Sequence, residues 1–415
     1  MANDTYLKIE SNVFPYYFGN DFLLNIGTYD FVKLNCVQEE VVKCSDGGKT
    51  YSEIYYYIID KFGQADNDNT RMIFEQLVKK LCENKLIKQI HEKDCEELKY
   101  AGEKGKTYPW WLLVELTNSC NMRCRHCYKK AETFGTMLDY EMFKKIVLNF
   151  KKRTPKMVLT GGEPLLNPYI NEILKKSEDN FDTYLLTNAS LLDKIRPEYL
   201  IGLKQVQISL YGYDEEYFCM FTGQKLYNKT IENIKYAVQY LGKNVIVTVI
   251  VTKNNLMYLE KYIANLISLG VKSMMFGLAV PLGRMAENKQ EFSFSDYELM
   301  SLCNLIRDYR YKYSKQIQIA PFMDIKKVEV RKKTDFGCHA GKYNIAITEK
   351  GMVVPCHMMS REAFCDYSYD DYIEDVNNGK VRTHKDAINK ISDILTESNS
   401  KLSDIYCNGF CDVRR

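Results

Sequence analysis

The chain reads as an α/β protein built on a partial (β/α)6 barrel of TIM type. A winged-helix-like α+β domain precedes it, and a small domain of β-hairpin and helix follows. Three observations predict this arrangement. Between residues 110 and 320, near-continuous apolar or β-branched runs of strand length alternate with helical patterns, as in a parallel sheet covered by helices. Residues 1 to 90 hold short β-rich runs and then three helical stretches. After about residue 320 the alternation stops, and a hairpin pattern and a cysteine-bearing tail take over.

The elements follow in order. FPYYF (14–18) and FLLNI (22–26) read as strands, and residues 35–44, 51–62 and 70–85 as helices. Ser45, Asp46, Gly47 and Gly48 form a turn between the first two helices. Ser52, with Glu53 beside it, sits where a helix N-cap would. The stretch 91–109 is charged, poor in large apolar residues and ends in Pro109, so it reads as a linker. Barrel strands are expected at 111–116, 156–160, 183–187, 205–210, 245–251 and 273–279, with helices at 139–152, 168–177, 228–241 and 256–268 between them. In barrels the chemistry gathers at the C-terminal strand ends. Residues 338–358 read as a hairpin turning at Glu349, Lys350 and Gly351. The expected domains are therefore 1–90, the linker 91–109, 110–320 and 321–415.

Composition narrows the function. At 415 residues and 46% hydrophobic, the chain is long enough for two or three cored domains. Its net charge of +3 marks no global attraction to nucleic acid or membrane. The opening residues show no signal peptide, and the longest apolar run (245–251) is strand-sized, so a cytoplasmic protein with no membrane and no nucleic-acid partner is expected. Residues 1–100 carry 12 Lys and Arg against 17 Asp and Glu, a net of −5. That sign opposes DNA binding by the winged-helix shape. Fourteen cysteines in a reduced compartment point to metal, redox chemistry or core filling.

Three of the cysteines carry chemistry by spacing. Cys120, Cys124 and Cys127 form C-x3-C-x2-C in the loop after the first barrel strand. Three thiolates leave a structural zinc site one ligand short, whereas a [4Fe–4S] cluster held by three leaves one iron open to a small molecule. With TNSCNMRCRHCY (117–128), including His126 before the third cysteine, the sequence resembles the radical S-adenosylmethionine (SAM) superfamily. TGGEP (160–164), one strand later, resembles that family's glycine-rich SAM-binding element and points to Gly161, Gly162 and Glu163. The resemblance also implies cofactor contacts by Asn188, by Ser209 near the ribose, and by Thr248. One position departs from the pattern: many relatives hold the SAM carboxylate with an Arg where this chain has Thr222. Another cation, or hydroxyls and water, must then serve. Arg284 lies in a stretch that relatives use near adenine.

The remaining resemblances extend along the chain. Cys338, Gly351 and Cys356, with Cys407 and Cys411, resemble a SPASM/Twitch domain, which implies one auxiliary Fe–S cluster on those four cysteines, with Cys365 a spare. A zinc site of the same four thiols is the alternative. Cys36, Cys44, Cys82, Cys95 and Cys303 read as core filling, and Cys219 as core filling or a hydrogen-atom donor. Residues 34–63 resemble the recognition element of enzymes that modify ribosomally made peptides. There a leader peptide adds as a strand to a sheet edge, here FPYYF or FLLNI. Together these imply a radical SAM maturase that forms a Cys thioether on a precursor peptide. It would draw one electron from a flavodoxin- or ferredoxin-type reductant. The alternatives are a C–C or C–O crosslinker, an epimerase, a sulfatase-maturing enzyme, or an Fe–S-sensing winged-helix regulator.

Overall fold

The computed structural model describes residues 5–27, 30–279, 282–320, 341, 343–357 and 367–378. The chain divides into two compact units: one runs through Tyr108 and takes in Val376, and the other runs from Pro109 to Asp375.

The first unit holds two three-stranded sheets. One has the order β5-β1-β6, from β1 (Tyr6–Ile9), β5 (Asp46–Thr50) and β6 (Ile87–Ile90); the other has the order β2-β3-β4, from β2 (Phe14–Phe18), β3 (Asp21–Asn25) and β4 (Phe31–Lys33). The helices are α1 (Cys36–Cys44), α2 (Tyr51–Lys61) and α3 (Asp68–Glu83). The succession α1, β5, α2, α3, β6 is that of a winged helix, with β1 as the third strand. Apolar faces of all three helices close over Leu7, Phe22, Leu24 and Ile87. Each helix starts on a capping box, Asn35 with Gln38, Thr50 with Glu53, and Asn67 with Thr70, which satisfies otherwise orphaned N–H groups.

Three local expectations change here. Thr50, not Ser52, caps α2. The Gly47–Gly48 turn is part of strand β5, paired antiparallel with β1. The stretch 91–109 is not free: Asp94 N donates to Gly47 O at 3.2 Å, Glu96 N to Asp46 O at 2.8 Å, and Tyr17 N to Ala101 O at 2.9 Å.

The second unit is organised by one nine-stranded sheet. Six parallel strands form its middle: β7 (Trp111–Glu115), β8 (Lys156–Thr160), β9 (Asp182–Thr187), β10 (Gln205–Ser209), β11 (Val245–Ile250) and β12 (Ser273–Gly277). They pair in parallel and in sequence order, as sequential βαβ units do. Alternate residues are buried, for example Val206 and Ile208, while Gln205, Gln207 and Ser209 on the other face of β10 stay partly open. Beyond β12 lies β13 (Gln318–Ile319), and beyond β7 lie β14 (Asn344–Ile347) and β15 (Val353–Val354). The sheet is open, as a partial barrel predicts. The hairpin β14–β15 turns where expected, but it is no separate layer: β14 pairs in parallel with β7, from Asn344↔Trp111 to Ile347↔Val114. No helix among the described residues is long and apolar enough to cross a membrane.

Candidate active site

Cys120, Cys124 and Cys127 leave the C-terminal end of β7 in one loop. Cys120 and Cys124 are buried and pack with Met122, Ala131 and Phe218, while Cys127 and Tyr211 lie against that group. The loop is shaped by its neighbours before any ligand arrives. Arg123 N donates to Thr222 O at 2.7 Å and Arg125 N to Phe221 O at 3.0 Å, so the loop caps the C-terminal end of the helix Glu215–Thr222. Cys120 N donates to Glu132 O at 2.7 Å.

Burial, with Glu163 nearby, pushes the Cys120 thiol up to about 12. Burial and the other two thiols raise Cys124 well above the ordinary range. Two buried thiols whose ionisation is opposed suit a cationic core, whose binding removes their protons. Among the described residues no three His, Cys, Asp or Glu side chains converge as ligands of a single metal ion. A cubane is served by a wider ring, because each thiolate binds a different iron. Three thiols on one loop suit a [4Fe–4S] cluster with one iron left open to a small molecule.

The glycine-rich element lies directly against this loop. Gly162 N donates to Thr117 O at 2.7 Å and Glu163 N to Ser119 O at 2.8 Å. A Cβ on Gly162 would stand 2.2 Å from Ser119 O, and one on Gly161 2.6 Å from Thr117 O. Only glycine allows that approach. Gly162→Ala should thus displace the carbonyl just before Cys120 and lower stability by about 1–3 kcal/mol in equilibrium denaturation, as overpacking does. An unchanged denaturation midpoint would show that the loop can move aside.

The Glu163 carboxylate is engaged by three donors of the chain itself. It is fully buried; Oε1 accepts from Thr187 Oγ1 at 2.6 Å and Leu165 N at 3.2 Å, and Oε2 from Asn188 N at 2.8 Å. It ties the end of β8 to the end of β9. Burial lifts its carboxyl to about 7 in spite of these three donors. Asn188 is buried and donates to Asn121 Oδ1 at 3.0 Å, while its own oxygen accepts from Ser190 Oγ at 2.6 Å. Its Nδ2 lies 3.9 Å from Cys120 Sγ, which brings this strand-end residue to the cysteine loop. Ser209 ends β10 on its partly open face. Thr248 Oγ1 accepts from Gln207 Nε2 at 2.9 Å. Ser209 and Thr248 are neighbours in register on β10 and β11.

His126 stacks on Phe221 at 5.0 Å between ring centroids and tilts against Tyr211 at 4.9 Å. Burial pushes its pKa down to about 3, so the ring is neutral. Thr222 is buried and its hydroxyl donates to Phe218 O at 2.7 Å; the side chain is spent on its own helix. Arg284, by contrast, packs on the cysteine loop, donating from Nε to Cys124 O and from Nη1 to Ala131 O, each at 2.9 Å.

Other functional neighbours left no local signal. Lys129 Nζ and Glu115 Oε1 form an ion pair at 2.8 Å, with side chains only 3% and 1% exposed. Glu115 ends β7 and Lys129 follows Cys127 by two residues, so the pair sits beside the three thiols. Asn121, Ser190 and Tyr211 are likewise supplied by the fold. On the hairpin, Cys356 and the neighbouring His357 are half-buried, and His357 lies edge-on to Tyr128 at 5.7 Å. Burial and the charge of Lys129 push His357 down to about 4. Cys338, His339, Cys365, Cys407 and Cys411 lie outside the described residues.

Comparison with known proteins follows the same geometry. Residues 114–278 match the sequence model of the Radical SAM superfamily. The antilisterial bacteriocin subtilosin biosynthesis protein AlbA of Bacillus subtilis (strain 168) is 26% identical over 378 residues, covering 87% of this chain and 80% of AlbA. Streptococcus suis SuiB bound to S-adenosylmethionine superposes with a TM-score of 0.65 at 14% identity, over 98% of this chain and 100% of SuiB. SuiB bound to its precursor peptide SuiA gives 0.61 at 15% identity, over 85% and 83%. The loop Cys120–Cys127, the GGEP turn packed against it and the matched segment coincide, and residues 114–278 of this chain are a radical SAM domain.

Proposed function

We propose that this chain is a radical SAM maturase that forms a thioether between a cysteine and an acceptor carbon of a ribosomally made precursor peptide. The observation that carries the reading is the buried three-thiol loop locked to the glycine-rich turn at the mouth of an open parallel sheet. Likeness to a bacteriocin biosynthesis protein and to an enzyme solved with its precursor peptide supports the peptide substrate.

Cys120, Cys124 and Cys127 would hold a [4Fe–4S] cluster; with SAM bound, that cluster supplies one electron to the sulfonium and so a 5′-deoxyadenosyl radical able to abstract hydrogen. The chain's own residues do the rest. Gly161 and Gly162 bring backbone to the SAM methionine end. Asn188, Ser209 and Thr248 line the strand ends as SAM contacts. The partly open face of β10 leaves room inside the sheet for cofactor and peptide, where a dry, fixed geometry orients the reacting carbon. An auxiliary Fe–S cluster on Cys338, Cys356, Cys407 and Cys411 would take up the second electron of the coupling. A flavodoxin- or ferredoxin-type protein would supply the first.

Leader binding by the first unit would need an open strand edge. β3 is flanked on both sides by β2 and β4, and the outer side of β2 bonds with Ala101. Neither FPYYF nor FLLNI is open. β4 (Phe31–Lys33) ends its sheet, and we place the leader as an added strand along it.

Co-expression with a cysteine-bearing precursor should give a peptide lighter by two hydrogens in tandem mass spectrometry, and anaerobic reconstitution should load about eight irons for two cubanes. Four irons would sink the auxiliary cluster. No two-hydrogen loss, with deuterium taken up from heavy water, would indicate epimerisation instead. Removing residues 1–108 should leave SAM cleavage in place and abolish peptide modification; continued modification would refute leader recognition by this unit.

A further inference from the structure

Gly283 and Arg284 follow the sixth barrel strand, yet they touch the loop that follows the first. Strand pairing leaves the sheet open, but at its C-terminal mouth these two residues bridge the ends of the six-strand arc. Arg284 N donates to Cys127 O at 2.9 Å, and the side chain reaches Cys124 O and Ala131 O. Gly283 adopts a φ of +59°, and a Cβ there would stand 2.4 Å from the carbonyl oxygens of both Cys127 and Tyr128. The approach is as close as backbone allows, and it is made to the residues that present the thiols.

The Arg284 side chain has more donors than the loop carbonyls absorb. The residue is 9% exposed. Its Nη2 is buried and, among the described residues, has no hydrogen-bond partner. Burying a guanidinium with one arm unsatisfied is costly, so an acceptor belongs there. The nearest acidic side chain on its own helix, Glu287, is instead exposed and paired with Lys130 at 2.7 Å.

We propose that Arg284 is a positioning residue for the three-thiol site: it clamps the cysteine loop through two carbonyls and offers Nη2 as a buried N–H donor to the anionic cluster held there. This rests on the cluster reading above. Two effects follow from one side chain. The side-chain bonds to the carbonyls of Cys124 and Ala131 hold the loop in place before a cluster arrives. The buried positive charge and the N–H donor favour the more negative, reduced state, as hydrogen bonds and charge near cluster sulfurs do.

The experiment compares wild type, Arg284→Met and Arg284→Lys. In the cluster-free chain, hydrogen exchange of the loop amides between residues 120 and 131 should be about tenfold faster in both variants, because local opening is no longer opposed by the fork. In reconstituted protein, an anaerobic redox titration read by electron paramagnetic resonance should give a lower reduction potential for Arg284→Met. Arg284→Lys, which keeps the charge, should stay near wild type. Wild-type exchange in Arg284→Met would overturn the clamp, and an unchanged potential would overturn the donor. Failure of the cluster reading would appear separately, as a wild-type chain that takes up no iron; the exchange measurement would still decide the clamp.

Discussion

With Cys120, Cys124 and Cys127 all replaced by alanine, the chain is expected to fold and to form no 5′-deoxyadenosine from SAM. The fold survives because the loop is held by backbone bonds that do not involve sulfur: Arg123 N to Thr222 O, Arg125 N to Phe221 O, Gly162 N to Thr117 O and Glu163 N to Ser119 O. The chemistry does not survive because the variant offers no thiolate at the strand end where the glycine-rich turn meets the loop. Anaerobic incubation with dithionite and chromatography of the nucleoside products measure the effect, with far-ultraviolet circular dichroism as the check on folding. Persistent 5′-deoxyadenosine from a folded variant would place SAM cleavage elsewhere in the chain.

The second large effect is expected at a residue outside the cysteine motif. Lys129→Met removes the cation 2.8 Å from Glu115 at the end of β7, in a site where both partners are almost wholly enclosed. Breaking such a pair from one side costs about 3–5 kcal/mol, a large part of the 5–15 kcal/mol by which domains are commonly stable. Replacing both partners, as Lys129→Met with Glu115→Leu, should recover much of the loss, since an apolar pair of similar volume restores packing without stranding a charge. Equilibrium denaturation of the two single variants and the double variant closes the cycle. A Lys129→Met cost below about 1 kcal/mol would mean the pair behaves as an exposed one does.

What could be read ahead of the structure follows from where the information lies. The six central strands were legible because each is a short apolar or β-branched run between helical patterns. The helix Tyr227–Leu241 was legible from its period, and the three-cysteine loop from spacing alone. Strand β5 was not, because Asp46-Gly47-Gly48-Lys49-Thr50 carries turn chemistry and is held in extended form by pairing with β1. The partner of β14 was not legible either, since nothing in Asn344–Ile347 says that β7 lies beside it. The roles of Glu163 and Arg284 needed the fold: one is a motif residue turned inward to tie two strand ends, the other a distant arginine brought onto the cysteine loop. Lys129 and Glu115 are ordinary charged residues in sequence, and only their common enclosure marks them.

The pairing of β14 with β7 also has a temporal side. Strands laid down in order can pair as they emerge, but the outer edge of β7 must wait for residues roughly 230 positions later, which at ribosomal rates of about 5–20 residues per second is on the order of 10–50 s. During that interval an apolar strand edge stands open next to the three thiols. Such long-range pairing slows folding, and an exposed edge invites pairing with another chain. The yield of soluble protein should therefore depend on synthesis rate and chaperone supply more than the stability of the finished sheet would suggest.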